Sequence, residues 1–295
     1  MTGRHTPVMP AESADALVGD PCGLYLDCTA GLGGHMKYLL ESKLAPQGRV
    51  IGIELDPEAA ALASAELAGY GERAAVYQGS YTEAAAILAR AGISSVSGVF
   101  FDFGVSSLQL DLPQRGFSFM ADGPLDMRFS PSTRLTAADI VNTWPQEQLE
   151  RILRQYGEER AARRIATAIV AARERGPLKS TLELAGAVQR ACPRTGKTHP
   201  ATRTFQALRI TVNGELENVP AGLRVASKLV APGGRIAALS FHSLEDRLVK
   251  REFAALEASG SWKRILKKAA SPTEEEQAAN PRSRSAKLRA VEKIL

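Results

Sequence analysis

Cysteine is scarce in this chain of 295 residues, and the little there is carries no pattern. Cys22, Cys28 and Cys192 are an odd number with no metal-ligand spacing. That argues against a disulfide scaffold and a cysteine metal site, and it fits reduced thiols in a reducing compartment. Long apolar runs are missing as well. None approaches the ~20 residues that span a bilayer. The opening stretch, through Ser13, has no apolar segment of the signal-peptide kind, so the sequence predicts a cytoplasmic protein with no membrane partner. What is present is 44% apolar residue, enough for a buried core. The length suits one large domain or a domain with a sizeable insertion.

Charge is unevenly placed. Residues 1–144 carry 9 Lys/Arg against 16 Asp/Glu, a net of −7. Residues 145–209 carry 13 against 6, a net of +7, and residues 247–295 carry 12 against 6, a net of +6. Two basic segments beside an acidic one suggest regions that face a polyanion and another that faces a cationic or neutral cofactor. Solubilising surface charge explains the same pattern equally well.

The first hundred residues alternate short apolar runs with helical patterns. Strands are predicted at 24–27, 50–54, 74–77 and 99–103, and helices at 36–44, 57–67 and 82–91. Such alternation means βαβ units and a parallel sheet covered on both faces. From Gln109 to about Arg134 the chain is loop-like. Helix signals follow without strands. Thr143, Pro145 and Gln146 mark one predicted start, with helices over 146–156 and 158–175. Ser180 with Glu183 is a capping box that opens another helix toward Ala191. Strand pattern resumes at 235–240, and a final pair, 262–266 and 288–294, completes the sheet. The stretch 270–284 is polar and reads as a mobile loop. The expected architecture is a doubly wound α/β domain of residues 1–105 and 206–295, interrupted by a helical insertion of residues 106–205.

The first strand runs into Asp27-Cys28-Thr29-Ala30-Gly31-Leu32-Gly33-Gly34-His35 and then a helix. Glycines allow a sharp turn and close approach of a ligand. A helix N-terminus favours a carboxylate or phosphate. The spacing G-x-G-G differs from the dinucleotide pattern G-x-G-x-x-G, which disfavours a nicotinamide dehydrogenase. Glu54 ends the second strand, where an acid can bind both hydroxyls of a ribose. Tyr81 follows the third strand, where a ring can lie against an adenine. Asp102 ends the fourth. Singly these residues read as a solvated acid, a core ring and a helix cap. Four features in register at strand ends fit S-adenosylmethionine, which has a carboxylate, a ribose diol and an adenine. The triplet Asp102-Phe103-Gly104 spells the kinase metal motif, but the chain has neither the phosphate-covering glycine loop nor the catalytic loop of a kinase.

At these residues the chain resembles the bacterial ribosomal RNA small-subunit methyltransferase H family. The resemblance rests on His5-Thr6-Pro7-Val8, Gly33-Gly34-His35, Asp102 through Ser107 with Gln109, and Arg115-Gly116-Phe117-Ser118-Phe119. It continues through Asp122–Arg128, Tyr156–Arg160, His199–Ala207 and Ser240–Arg247. It implies a Rossmann-like class I methyltransferase sheet with a helical insertion that recognises RNA. It also implies methylation of the N4 amine of one cytosine in 16S rRNA of the small subunit. Cofactor contacts then fall on Gly33, Gly34, His35, Glu54, Tyr81, Asp102 and Gln109. The chain has Glu54 where Asp is common, Tyr81 where Phe is common, Met36 where Ser is common and Phe129 where Met is common.

The exocyclic amine of cytosine is a poor nucleophile, because its lone pair is delocalised into the ring. The sulfonium already activates the methyl group. The enzyme therefore has to align amine, methyl and sulfur and exclude water, and that chemistry needs no metal. Asp102 is a candidate catalytic acceptor. His199, Arg203 and His242 are candidates for the substrate side. Phe117 and Phe119 can stack on a base or pack a loop. Two rival readings stay open: a methyltransferase for a small molecule or protein, which the basic insertion disfavours, and a non-catalytic RNA-binding factor, which the intact Gly33, Glu54 and Asp102 set disfavours.

Overall fold

The computed structural model describes residues 7–193 and 199–295; His5 and Thr6, which carry part of the resemblance, lie outside them. The chain forms two compact units, one of residues up to Gly104 together with Leu216–Leu295, the other Val105–Glu215. In chain order the first unit opens with α1 (Pro10–Leu17), β1 (Leu24–Asp27), α2 (Gly34–Ser42), β2 (Arg49–Glu54), α3 (Pro57–Leu67), β3 (Ala74–Gln78), α4 (Ala84–Arg90) and β4 (Val96–Asp102). The second unit carries α5 (Ser107–Asp111), α6 (Ala137–Thr143), α7 (Gln146–Gln155), α8 (Ala162–Arg173), α9 (Thr181–Ala191) and α10 (Thr202–Asn213). Then come α11 (Glu215–Leu229), β5 (Val230–Ser240), α12 (Ser243–Ala258), β6 (Trp262–Arg264), α13 (Glu274–Ala279) and β7 (Lys287–Lys293).

In the first unit the described residues form a seven-stranded sheet of order β3-β2-β1-β4-β5-β7-β6. The first five strands are parallel, and β7 runs antiparallel to both β5 and β6. The central strands are apolar on both faces, as a covered parallel sheet requires. Leu26, Ile53, Val99, Phe101 and Ile236 pack with Val219 and Leu223 of α11 and Val249 and Phe253 of α12. Tyr25, Val50, Phe100 and Leu239 pack on the other face with Leu17 of α1 and Met36 and Leu39 of α2. Strand order reverses between β1 and β4, which puts the ligand crevice at their carboxyl ends.

The second unit has its own core. Ile140, Leu149, Ile152, Ile165, Ile169, Leu184, Val188, Phe205 and Leu208 meet there from five helices. Its long loop is ordered by polar ties. Arg115 Nη2 donates to the carbonyls of Arg128 and Phe129, Arg128 forms a two-point ion pair with Asp126, and Phe117 stacks on Phe129 at 5.6 Å.

Several expectations change in detail. The unit extends to Glu215 rather than residue 205, because α10 belongs to it. The capping box at Ser180 and Glu183 forms. The expected pairing of Thr143 with Gln146 does not: the Thr143 hydroxyl donates back to the Asp139 carbonyl, and Pro145 stands at the N-cap of α7. Helix α8 starts at Ala162 rather than 158, since Glu158 holds a left-handed backbone at φ 48°. The stretch read as a mobile loop contains α13, capped by Thr273, which accepts from the Glu276 amide.

Candidate active site

Gly33 has φ 84° and caps α2, whose first-turn amides have no side-chain cap. The positive φ calls for glycine, and a Cβ there would press on Leu67 Cδ1 at 3.1 Å. Hydrogen bonds lock the turn to its neighbours: the Ala30 amide donates to Ile53 and the Cys28 amide to Phe100. Glu54 is half-buried. Its Oε2 accepts from the Gly31 amide at 2.7 Å and its Oε1 from the Asp56 amide at 2.9 Å. Each oxygen keeps a further lone pair for a ligand hydroxyl. Burial pushes the Glu54 carboxyl up to about 6.

Asp27, His35 and Asp102 gather at the ends of β1, α2 and β4. His35 Nε2 is 3.4 Å from Asp102 Oδ2, and the His35 ring packs 4.6 Å from Phe100. Asp27 is 1% exposed, and its Oδ1 accepts from the Thr29 amide and hydroxyl at 3.0 and 3.3 Å. The Thr29 hydroxyl oxygen in turn accepts the Asp102 amide at 2.6 Å. Burial raises the Asp27 carboxyl to about 6, against the pull of His35. Three buried polar atoms in this cluster, Asp27 Oδ2, Asp102 Oδ1 and His35 Nε2, make no hydrogen bond within the protein. Buried polar atoms are normally satisfied, so this group calls for a polar or cationic partner from outside the chain. Asp27 and Thr29 were not singled out in the sequence. The signal was there: an acid at a strand end with Thr two residues on is an Asx-type turn.

Tyr81 is half-buried. Its ring meets Phe101 edge-on at 5.6 Å and Phe103 at 6.1 Å, and Gly222 leaves the room it fills, since a Cβ there would come within 2.5 Å of Tyr81 Cδ2. His242 caps α12. Its Nδ1 accepts from the Glu245 amide at 3.3 Å, and its Nε2 lies 3.1 Å from Glu245 Oε1. The first unit thus brings together Gly33, Gly34, His35, Glu54 and Asp102, with Tyr81 and His242 at neighbouring strand ends. Gln109, His199 and Arg203 belong to the second unit. Gln109 is buried in the capping box of α5, its Oε1 accepting from the Ser106 amide. His199 packs on Phe119 at 4.6 Å, and its Nδ1 accepts from the Ala201 amide. Arg203 Nη1 donates to the Glu158 carbonyl at 3.0 Å.

A dinucleotide-binding sheet is mostly parallel, and in its usual order 3-2-1-4-5-6 the sixth strand lies directly beside the fifth. Here β7 is inserted antiparallel beyond β5, and that reversal, with acids rather than a third glycine at the crevice, defines a class I methyltransferase. The chain belongs to the MraW methylase family, whose model matches residues 2–294. It is therefore a methyltransferase with S-adenosylmethionine as methyl donor. Among its relatives is the ribosomal RNA small subunit methyltransferase H of Elusimicrobium minutum, 48% identical over 291 residues and covering 98% of each chain. The protein of the same name from Geobacter sulfurreducens is 46% identical over 312 residues, covering 100% of each. That from Solibacter usitatus is 47% identical over 288 residues, covering 98% of this chain and 99% of its own.

Proposed function

We propose that this enzyme methylates the N4 amine of one cytosine in 16S rRNA of the small ribosomal subunit. The relatives are named for small-subunit ribosomal RNA, and the +7 charge of residues 145–209 suits a polyanion. The observation that carries the donor site is the buried group of unsatisfied atoms on Asp27, His35 and Asp102. Asp27 Oδ2 suits the ammonium of the donor's methionine portion. The amides opening α2 after Gly33 and Gly34 suit its carboxylate. Glu54 suits the ribose diol, and Tyr81 the adenine. The donor supplies a methyl group already activated by its sulfonium.

The protein's share is alignment, exclusion of water and polarisation of the amine. Asp102 Oδ1, which makes no bond within the protein, is the acceptor we assign to the reacting end of the site. His242 is assigned to the substrate side in the first unit, and His199 and Arg203 in the second. The test is transfer of labelled methyl from the donor to small subunits, followed by nucleoside mass spectrometry. N4-methylcytosine at one position is expected. Methyl on carbon 5 or on the ribose would reject the assignment.

A further inference from the structure

The cations of the first unit sort into two groups. Most are committed to acids or carbonyls. Arg289 bonds Asp246 at 2.7 and 3.0 Å, and Arg235 and Lys263 both reach Glu292, at 3.0 and 2.7 Å. Arg224 pairs with Glu252 at 2.8 Å, and Arg264 with Glu257. Lys267, Lys268 and Arg284 are exposed and have no partner among the described residues. Three acids lie between them in sequence on α13: Glu276 accepts the Met9 amide at 2.6 Å, and Glu274 and Glu275 are exposed and form no ion pair with these cations among the described residues.

Topology puts all three at one place. Strand β7 runs antiparallel, so it starts at the carboxyl edge where β4 ends. Asp102 is in register with Leu239, and Leu239 with Leu288. Two strand spacings separate Asp102 from Leu288, about 10 Å. The Ile265 amide donates to Ala290, and Ala270 exchanges two hydrogen bonds with Leu288. Between those ties lie Lys267 and Lys268. Arg284 sits in the 3₁₀ turn Pro281–Ser285 that leads into β7. Of the other exposed cations with no partner among the described residues, Lys250 and Arg251 lie along α12, and Arg49, Arg90 and Lys228 lie on separate elements at the opposite, amino edge.

We infer that Lys267, Lys268 and Arg284 form a phosphate-binding strip. It holds the RNA backbone beside the nucleotide presented to the end of β4. Unneutralised like charges repel one another and hold a positive field at that edge, which a polyanion relieves. The inference rests on the reading that the substrate is RNA. A transcript of small-subunit ribosomal RNA serves as the probe. The variant K267Q/K268Q/R284Q should lower the slope of log affinity against log salt by about 2, ~0.7 for each phosphate neutralised. Its affinity at ~0.1 M salt should fall roughly tenfold or more. KM for RNA should rise with kcat, donor affinity and Tm unchanged. The control R90Q/K228Q, at the amino edge, should keep the wild-type slope. A triple variant with wild-type affinity and slope overturns the strip, as does an equal loss in the control. If the wild-type protein itself binds the transcript without salt dependence, the RNA reading falls first and the strip with it.

Discussion

Glu54 accepts a hydrogen bond from the Gly31 amide at 2.7 Å, so the acid that ends β2 also orders the turn that follows β1. A change at Glu54 therefore acts twice, by removing an acceptor for the ligand and by loosening the turn. Glu54→Ala should weaken donor binding by about 1–3 kcal/mol. Glu54→Gln keeps one acceptor oxygen and should fall between wild type and Ala. Calorimetric affinities that do not change in Glu54→Ala would remove Glu54 from the donor site.

The ionised Asp27 carboxyl opposes stability. Its carboxyl titrates at about 6 in the folded protein, raised by burial from 3.8. The folded state thus holds the proton more tightly than the unfolded state. Asp27's own contribution to stability is therefore fully present below about 4 and is lost as pH rises through about 6. Asp27→Asn removes that penalty. The variant should melt higher than wild type at pH 7.5, and the gain should shrink toward pH 4. Its donor affinity should fall. A melting difference that is the same at both pH values would reject this account.

The sheet was legible because its strands are buried on both faces and end in residues with distinctive chemistry. Asp102 and Glu54 could be placed at strand ends from pattern alone. What escaped was whatever depended on an unusual cap or on a three-dimensional neighbour. Helix α12 is capped by His242, α10 starts after Ala201 with no side-chain cap, and α11 follows directly on Gly214. None of these carries the usual Ser, Thr, Asp or Asn signal. Asp27 was read only as the last residue of a strand. Its meaning lies in an oxygen left without a partner, which no sequence pattern displays. His199 and Arg203 read as substrate residues; His199 accepts the Ala201 amide and Arg203 donates to the Glu158 carbonyl 45 residues away.

The basic helices of the second unit should contribute separately to RNA affinity. Arg163 and Arg164 are exposed on α8, and Arg164 Nη2 lies 3.0 Å from Cys192 Sγ. Arg163→Glu with Arg164→Glu should weaken RNA binding and reduce its salt slope by about 0.7–0.9 for each phosphate no longer neutralised. Donor affinity should stay at the wild-type value. Arg163→Glu alone leaves the Arg164–Cys192 pair intact and should show part of the effect. Filter binding across a salt series reads both, and a slope that does not move would separate the +7 charge from RNA recognition.

Selectivity for one cytosine has to come from outside the reacting amine, because every cytosine carries that group. Taking a base out of its stack costs a few kcal/mol, and least where the base is already unpaired. That cost alone selects only for unpaired positions. The rest must come from the shape and phosphates of the surrounding RNA, read by basic surface. Isolated nucleotides and short strands offer the amine without that surface. Assembled or nearly assembled small subunits should therefore be methylated with kcat/KM far above that of a cytosine-containing oligonucleotide of the same sequence. The gap should narrow in the charge-reversed variant, since a grip on RNA phosphates is what that variant gives up. Equal kcat/KM for subunit and oligonucleotide would mean that the site reads the base and its nearest neighbours alone, and the second unit would need another role.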